Sequence, residues 1–239
     1  MIFLDFEDLS NLKKYCQSYN ININDKNLKY FDIYKKFLKE YNKKINLTAI
    51  VEDEAIIKKH FLDSLILDKY LDFKNKKLID IGTGAGFPGV PLKIINNNLD
   101  LTLVDSVAKK TNFLELLKNK LNLDYLVINQ RAEILGKDKK YRETYDIAVA
   151  RAVKNLKELS EYCLPLVKLD GFLLAMKGPK NIEEEIKEAE NIINILGGKI
   201  INIFKYKLLS EDDRVIVLIK KISQTPPKYP RSTSQIIKK

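Results

Sequence analysis

From Lys77 onward, short β-branched runs alternate with amphipathic stretches: KLIDI, residues 91–97, LTLVD, 107–121, YLVIN, YDIAVA, 156–168, GFLLAMK, 182–196, IINIFKYK and RVIVLIKK. Strands separated by helices return over the sheet in parallel, so the pattern predicts an α/β fold, a doubly wound, mostly parallel sheet covered on both faces. The last two runs are joined only by residues 210–213, too few for a crossover, and must pair as an antiparallel hairpin at one edge. The chain before Lys77 reads differently. It contains no Gly or Pro, and residues 5–18, 25–44 and 52–71 carry apolar residues at helical steps, as in Leu28, Phe31, Tyr34, Leu38 and Tyr41. The expected organisation is a helical N-terminal extension over 1–74, a Rossmann-like domain over 75–222 and a tail over 223–239.

Four of the nine glycines fall within eight residues after the first strand, in Asp80-Ile81-Gly82-Thr83-Gly84-Ala85-Gly86-Phe87-Pro88-Gly89. Glycines spaced in this way bend the chain sharply and bring a ligand against bare backbone, at the strand ends where open parallel sheets bind ligands. LTLVD ends in Asp105, an acid placed to take both hydroxyls of a ribose. A nicotinamide dinucleotide would want a helix N-terminus bare to its pyrophosphate, yet here Phe87 and Pro88 follow the third glycine and Asp80 precedes the first. S-adenosylmethionine, with a ribose and adenine but no phosphate, suits the loop better, and its positive charges suit Asp80. Gln130-Arg131-Ala132-Glu133, after the third strand, stands where the adenine would be enclosed.

Composition removes several classes of protein. Two cysteines, Cys16 and Cys163, lie far apart without CxxC spacing, which argues against a disulfide framework or a zinc site. No apolar run approaches 18 residues and the first ten carry acids rather than a basic leader, so a soluble cytoplasmic protein with no membrane contact is expected. The net charge of +10 comes from 42 Lys and Arg against 32 Asp and Glu, and only five of the cations are Arg. Six of them, Lys220, Lys221, Lys228, Arg231, Lys238 and Lys239, fall in the last twenty residues without any acid. With Pro226, Pro227 and Pro230 this tail is expected to stay extended on the surface, either binding phosphates or merely solvated.

The runs YNKKINLTAI, HFLDSL, DIGTGAGFPGVPLKI, LVDSVAKKTNFL, the RAE triplet, YDIAVARAV and GPK, with the tail TPPKYPR, resemble the GidB/RsmG family over nearly the whole chain. The resemblance implies a class I S-adenosylmethionine-dependent methyltransferase fold and methylation of N7 of one guanine in bacterial small-subunit (16S) ribosomal RNA, with that RNA or the ribosomal subunit as partner and the enzyme as a monomer. Carried over by position, the cofactor contacts are Gly82, Phe87, Ala132, Glu133 and Arg151, with Asp80, Gly84, Gly86 and Asp105 as neighbours.

The residues agree with that chemistry. Guanine N7 is an unprotonated lone pair, so transfer requires in-line placement and no general base. His60 is the only histidine, on an amphipathic helix, where packing and RNA contact are both open. Neither cysteine has a nearby base, which disfavours covalent attack on a pyrimidine. An amino-directed methyltransferase would carry an (N/D/S)PP(Y/F) clamp after the fourth strand, and Ala150-Arg151-Ala152-Val153 stands there instead. Arg151, a scarce arginine at the ligand edge, is expected to position the substrate, unless it only bridges to a loop acid. Lys177-Gly178-Pro179-Lys180 adds charge to the same edge. Methylation of a small metabolite or protein, and RNA binding without catalysis, remain alternatives.

Overall fold

The computed structural model describes residues 7–151, 154–210 and 212–237. Among them the strands β1 (Lys77–Ile81), β2 (Asp100–Asp105), β3 (Leu126–Asn129), β4 (Tyr145–Arg151), β5 (Val167–Lys177), β6 (Gly198–Leu208) and β7 (Asp212–Lys221) form one sheet in the order β3-β2-β1-β4-β5-β7-β6. The first five pair in parallel, and β7 runs antiparallel between β5 and β6. The predicted hairpin therefore forms, with β6 as the outer strand.

Successive strand residues face opposite sides, and the sequence sorts cleanly between two cores. Leu78, Leu103, Ile147, Val149, Leu174 and Ile216 join one cluster, while Ile79, Val104, Ala148, Ala150, Leu173 and Val217 join the other. On the second face lie α7 (Ala132–Leu135), α8 (Leu156–Cys163) and α9 (Ile182–Ile195). The predicted helix over 156–168 stops at Cys163, because Pro165 can donate no helical amide; a 3-10 turn at Leu164–Leu166 leads into β5.

The first face carries α5 (Gly89–Ile95) and α6 (Ala108–Leu121), together with a helical cap. The cap consists of α1 (Glu7–Ser18), α2 (Asp25–Asn42), and a composite helix made of α3 (Asp53–Ile56), a π-helical segment (Ile57–Leu62), α4 (Asp63–Leu65) and a 3-10 turn (Ile66–Lys69). Residues 5 and 6 of the first predicted helix lie outside the described residues. Asn24 and Asn27 cap α2 reciprocally, each side chain accepting the other's backbone amide at 2.9 and 3.1 Å. Leu28, Phe31, Tyr34 and Leu38 line its buried face, and Asn27 Nδ2 donates to Ile94 O at 2.7 Å, joining the cap to α5.

The tail departs from the solvated chain that its composition suggests. Its prolines do prevent helix formation near residue 226, but they leave carbonyls that other groups collect. Arg142 Nη1 donates to Gly136 O and Tyr229 O, both at 2.7 Å, and Nη2 donates to Thr225 O at 2.6 Å and Pro226 O at 3.3 Å. Lys221 is wholly buried, bonded to Leu164 O and Thr225 Oγ1 and 3.0 Å from Glu143. Arg231 grips the buried Glu161 through Nε and Nη2, Lys220 pairs with Asp170, and a last short helix, α10 (Thr233–Ile237), buries Ile236. Three of the six tail cations are thus internal partners, Lys228 stays beside the Tyr229 ring, and Lys238 and Lys239 lie outside the described residues. Replacing Arg142 by Ala strips partners from several carbonyls at once, and is expected to cost about 2 kcal/mol or more in urea denaturation and to open trypsin cleavage after Lys228. Arg142→Lys, which cannot span all four acceptors, should recover little of this.

Candidate active site

The first cleft lies over the carboxyl ends of β1, β2 and β3, with a volume of about 530 Å³. Four of the nine predicted cofactor residues, Gly82, Asp105, Ala132 and Glu133, line it, together with Lys110 and Gln130. Gly82 and Gly84 take left-handed backbone angles, φ 68° and 61°, which glycine alone adopts without strain. A Cβ on Gly84 would meet nothing within 4 Å, leaving a bare stretch of backbone open to a ligand. Asp105 is fixed by Gly84 N at 3.0 Å on Oδ2 and Val107 N at 2.9 Å on Oδ1, and each oxygen keeps a lone pair for a further donor. The donor set is what a neutral, hydroxyl-rich nucleoside requires: carboxylates for its hydroxyl and amino protons, and open backbone against its linker.

Four predicted cofactor residues stand elsewhere: Asp80, Gly86 and Phe87 pack behind this cleft, and Arg151 lines a second cleft instead of this one. Asp80 is wholly buried behind the loop, where Oδ2 accepts from Thr83 Oγ1 and Gly89 N, both at 2.8 Å. Burial raises its pKa to about 7 against those hydrogen bonds, and Oδ1 has no partner among the described residues. It shapes the loop instead of lining the cleft, and Gly89 is required because a Cβ there would come 2.9 Å from Asp80 Oδ2. Gly86 answers to the cap: an added Cβ would meet Tyr34 Oη at 2.7 Å and Val90 at 2.8 Å. Phe87 lies in an aromatic stack between Tyr34, at 5.2 Å, and His60, at 4.4 Å between ring centres.

A second cleft of about 400 Å³ opens beyond β4, lined by Lys59, His60, Asp63, Arg151, Lys177, Tyr206 and Arg214 among others. Arg151 shares the sheet face of Ile147 and Val149 and so points at the cap. The π-helical segment prepares its partners. The Asp63 amide, which in an α-helix would bond to Lys59 O, turns to Lys58 O and His60 O, and Lys59 O accepts from Arg151 Nη1 at 3.1 Å. The same nitrogen lies 3.2 Å from Asp63 Oδ2, Nη2 donates to His60 Nδ1 at 3.1 Å, and the guanidinium covers the Phe87 ring at 5.1 Å. The acid that bridges Arg151 thus comes from a cap helix, and the arginine still lines the cleft.

Because Arg151 can only donate, Nδ1 of His60 accepts, and Nε2 carries the proton toward Thr48 Oγ1 at 2.8 Å. Burial first, and the Arg151 charge second, lower the His60 pKa to about 3. The histidine belongs to packing. In the unfolded chain it binds a proton near pH 6.5, which the folded protein refuses, so its contribution is full above about 6.5 and is lost as pH falls toward 3. His60→Gln should remove a slope of up to about 1.4 kcal/mol per pH unit from stability measured by urea between about pH 7 and 5. Equal slopes in the two proteins would mean that His60 titrates normally.

Tyr206 and Arg214 of the terminal hairpin escaped the sequence reading, although both face Asp63, at 3.2 and 3.5 Å. Thr233 and Lys110 in the first cleft also escaped it. One signal was present: the scarcity of arginine singled out Arg151, and the other four, Arg131, Arg142, Arg214 and Arg231, all hold cleft or tail contacts. Cys16 and Cys163 are both free and wholly buried, which raises the Cys16 thiol to about 12 and Cys163 higher still. Neither serves as a nucleophile.

A parallel sheet closed by an antiparallel hairpin, with a glycine loop after β1 and a carboxylate after β2 on one cleft, defines the class I methyltransferases. Solved structures share this fold: a SAM-dependent methyltransferase from Aquifex aeolicus, with TM-score 0.53 and 18% identity over 77% of this chain and 98% of that one, and a ribosomal protein L11 methylase from Lactobacillus delbrueckii subsp. bulgaricus, with TM-score 0.51 and 13% identity over 69% and 79%. Within the class, residues 27–215 match the model of the GidB family, described as rRNA small subunit methyltransferase G, and the chain belongs to that family. Proteins named ribosomal RNA small subunit methyltransferase G are 46% identical in Clostridium botulinum, over 99% of both chains, and 48% identical in Acetivibrio thermocellus, over 92% of this chain and 91% of that one. Gly82→Val, which forces a branched residue into a left-handed turn on the first cleft, is expected to abolish S-adenosylmethionine binding in calorimetry while circular dichroism stays unchanged.

Proposed function

We propose that this protein transfers a methyl group from S-adenosylmethionine to N7 of a guanine in small-subunit ribosomal RNA, acting as a cytoplasmic monomer. Both clefts are built by one chain, which supports the monomeric reading. Among the described residues no helix is long and apolar enough to cross a membrane, and no cluster of side chains could hold a metal ion.

The first cleft would hold the cofactor, with Asp105 and Glu133 accepting hydrogen bonds from its ribose hydroxyls and adenine amino group and the backbone of Gly82 and Gly84 against its linker. When bound, S-adenosylmethionine supplies an activated methyl group. The second cleft is rimmed by Lys59, Lys177 and Arg214, which RNA phosphate would draw from their present partners Asp212, Glu185 and Asp63, and holds an Arg151 guanidinium suited to guanine O6. The observation that carries the reading is the locked state of His60. The only imidazole of the chain is neutral with both ring nitrogens taken, so this cleft favours an acceptor atom that has no proton to lose, as N7 does.

Incubation with radiolabelled S-adenosylmethionine and small subunits lacking N7-methylguanine, followed by chemical cleavage at N7-methylguanine, is expected to yield label and one cut. Label without a cut would place the methyl group on another atom, and binding without label would leave an RNA-binding protein. Arg151→Ala should lower RNA methylation by about 10²-fold, far more than Cys16→Ser or Cys163→Ser once melting curves have excluded packing damage at the two cysteines.

A further inference from the structure

The C-terminal strap does more than close the second face of the sheet, because it ends on the first cleft. Thr233 is among the residues lining that cleft, at the start of α10. Its Oγ1 donates to Glu133 Oε1 and in turn accepts from Arg131 Nη1 at 3.1 Å. Arg131 Nη1 itself stands 3.7 Å from Glu133 Oε1. A hydroxyl has one proton, so with the arginine occupying its acceptor side that proton is committed to the carboxylate. Both contacts fall on Oε1, and among the described residues Oε2 has no hydrogen-bond partner.

We infer that Thr233 is a positioning residue for the methyl donor: the strap carries it into the cleft to fix the Glu133 carboxylate, which in turn fixes the adenosine half of the cofactor. The inference rests on the cofactor reading given above. Anchoring alone does not account for Thr233, because the strap is already held by Arg142 on its carbonyls, by Lys221 with Thr225, by the Arg231 pair with Glu161 and by buried Ile236. Removing one hydroxyl from a part-exposed residue beyond those anchors should leave the fold intact. What changes is the carboxylate, which loses its fixed donor and gains rotameric freedom facing the ligand.

The test compares the full-length chain with Thr233→Val, Thr233→Ala and Thr233→Ser by calorimetry, using S-adenosylmethionine and 5′-methylthioadenosine, which keeps the adenosine half and lacks the amino acid. Val and Ala are expected to weaken both ligands by the same factor, about five- to tenfold, with an unchanged melting temperature. Ser should restore binding, and turnover should show a raised KM for the donor with kcat retained. Unchanged affinity in the Val and Ala variants overturns the inference. So does a loss confined to S-adenosylmethionine, or a loss that follows a lowered melting temperature and is not recovered by Ser. If the unaltered protein bound neither ligand, the cofactor reading itself would fall, an outcome distinct from a wild-type protein that binds both and variants that do so equally well.

Discussion

The Arg151 guanidinium meets a carbonyl, a ring nitrogen and a carboxylate on the π-helical segment and the residue that follows it, and lies across the face of Phe87. Phe87 belongs to the glycine loop, so one side chain ties three parts of the molecule together: the end of β4, the cap and the turn that shapes the first cleft. A lysine could supply the charge, but its three hydrogens share one nitrogen, whereas the guanidinium spreads its donors over a plane and offers a flat face. Opening the helix at Ile57–Leu62 gives up regular bonding, and the released Lys59 carbonyl is recovered by that guanidinium.

Much of the fold was legible because strands buried on both faces must be β-branched and apolar, and helices between them must be amphipathic. The residues of the first cleft were legible for a related reason. Gly82, Asp105, Ala132 and Glu133 each follow a strand at its carboxyl end, so their place follows once the sheet is drawn. Inside the turn that logic fails. A glycine-rich loop has no fixed side-chain period, and whether Gly86 faces a ligand or Tyr34 depends on how the cap seats, which no local pattern records.

The second cleft was the less legible because distant parts of the chain build it. Asp63 and Tyr206 are 143 residues apart in sequence and bonded in space, and neither carries a local motif that announces the other. The tail was misread for a similar reason. The prolines excluded a helix through 226–230 and the lysines suggested an extended surface end, whereas Arg142, more than eighty residues upstream, donates to its carbonyls and holds it down. In a chain that uses lysine for nearly all its positive charge, the arginines mark the places where a planar, many-donor cation was needed, and they were a better guide than the net charge.

The cap and one face of the sheet share a single cluster, in which Phe31, Tyr34 and Phe61 pack in common with Leu103, Val149 and Leu174. The helices of the cap therefore cannot be regarded as an attachment that recognises RNA for an independent catalytic module. The glycine loop shares that core through Ala85 and Phe87, so a change that loosens the cap is expected to loosen the turn beside the first cleft as well.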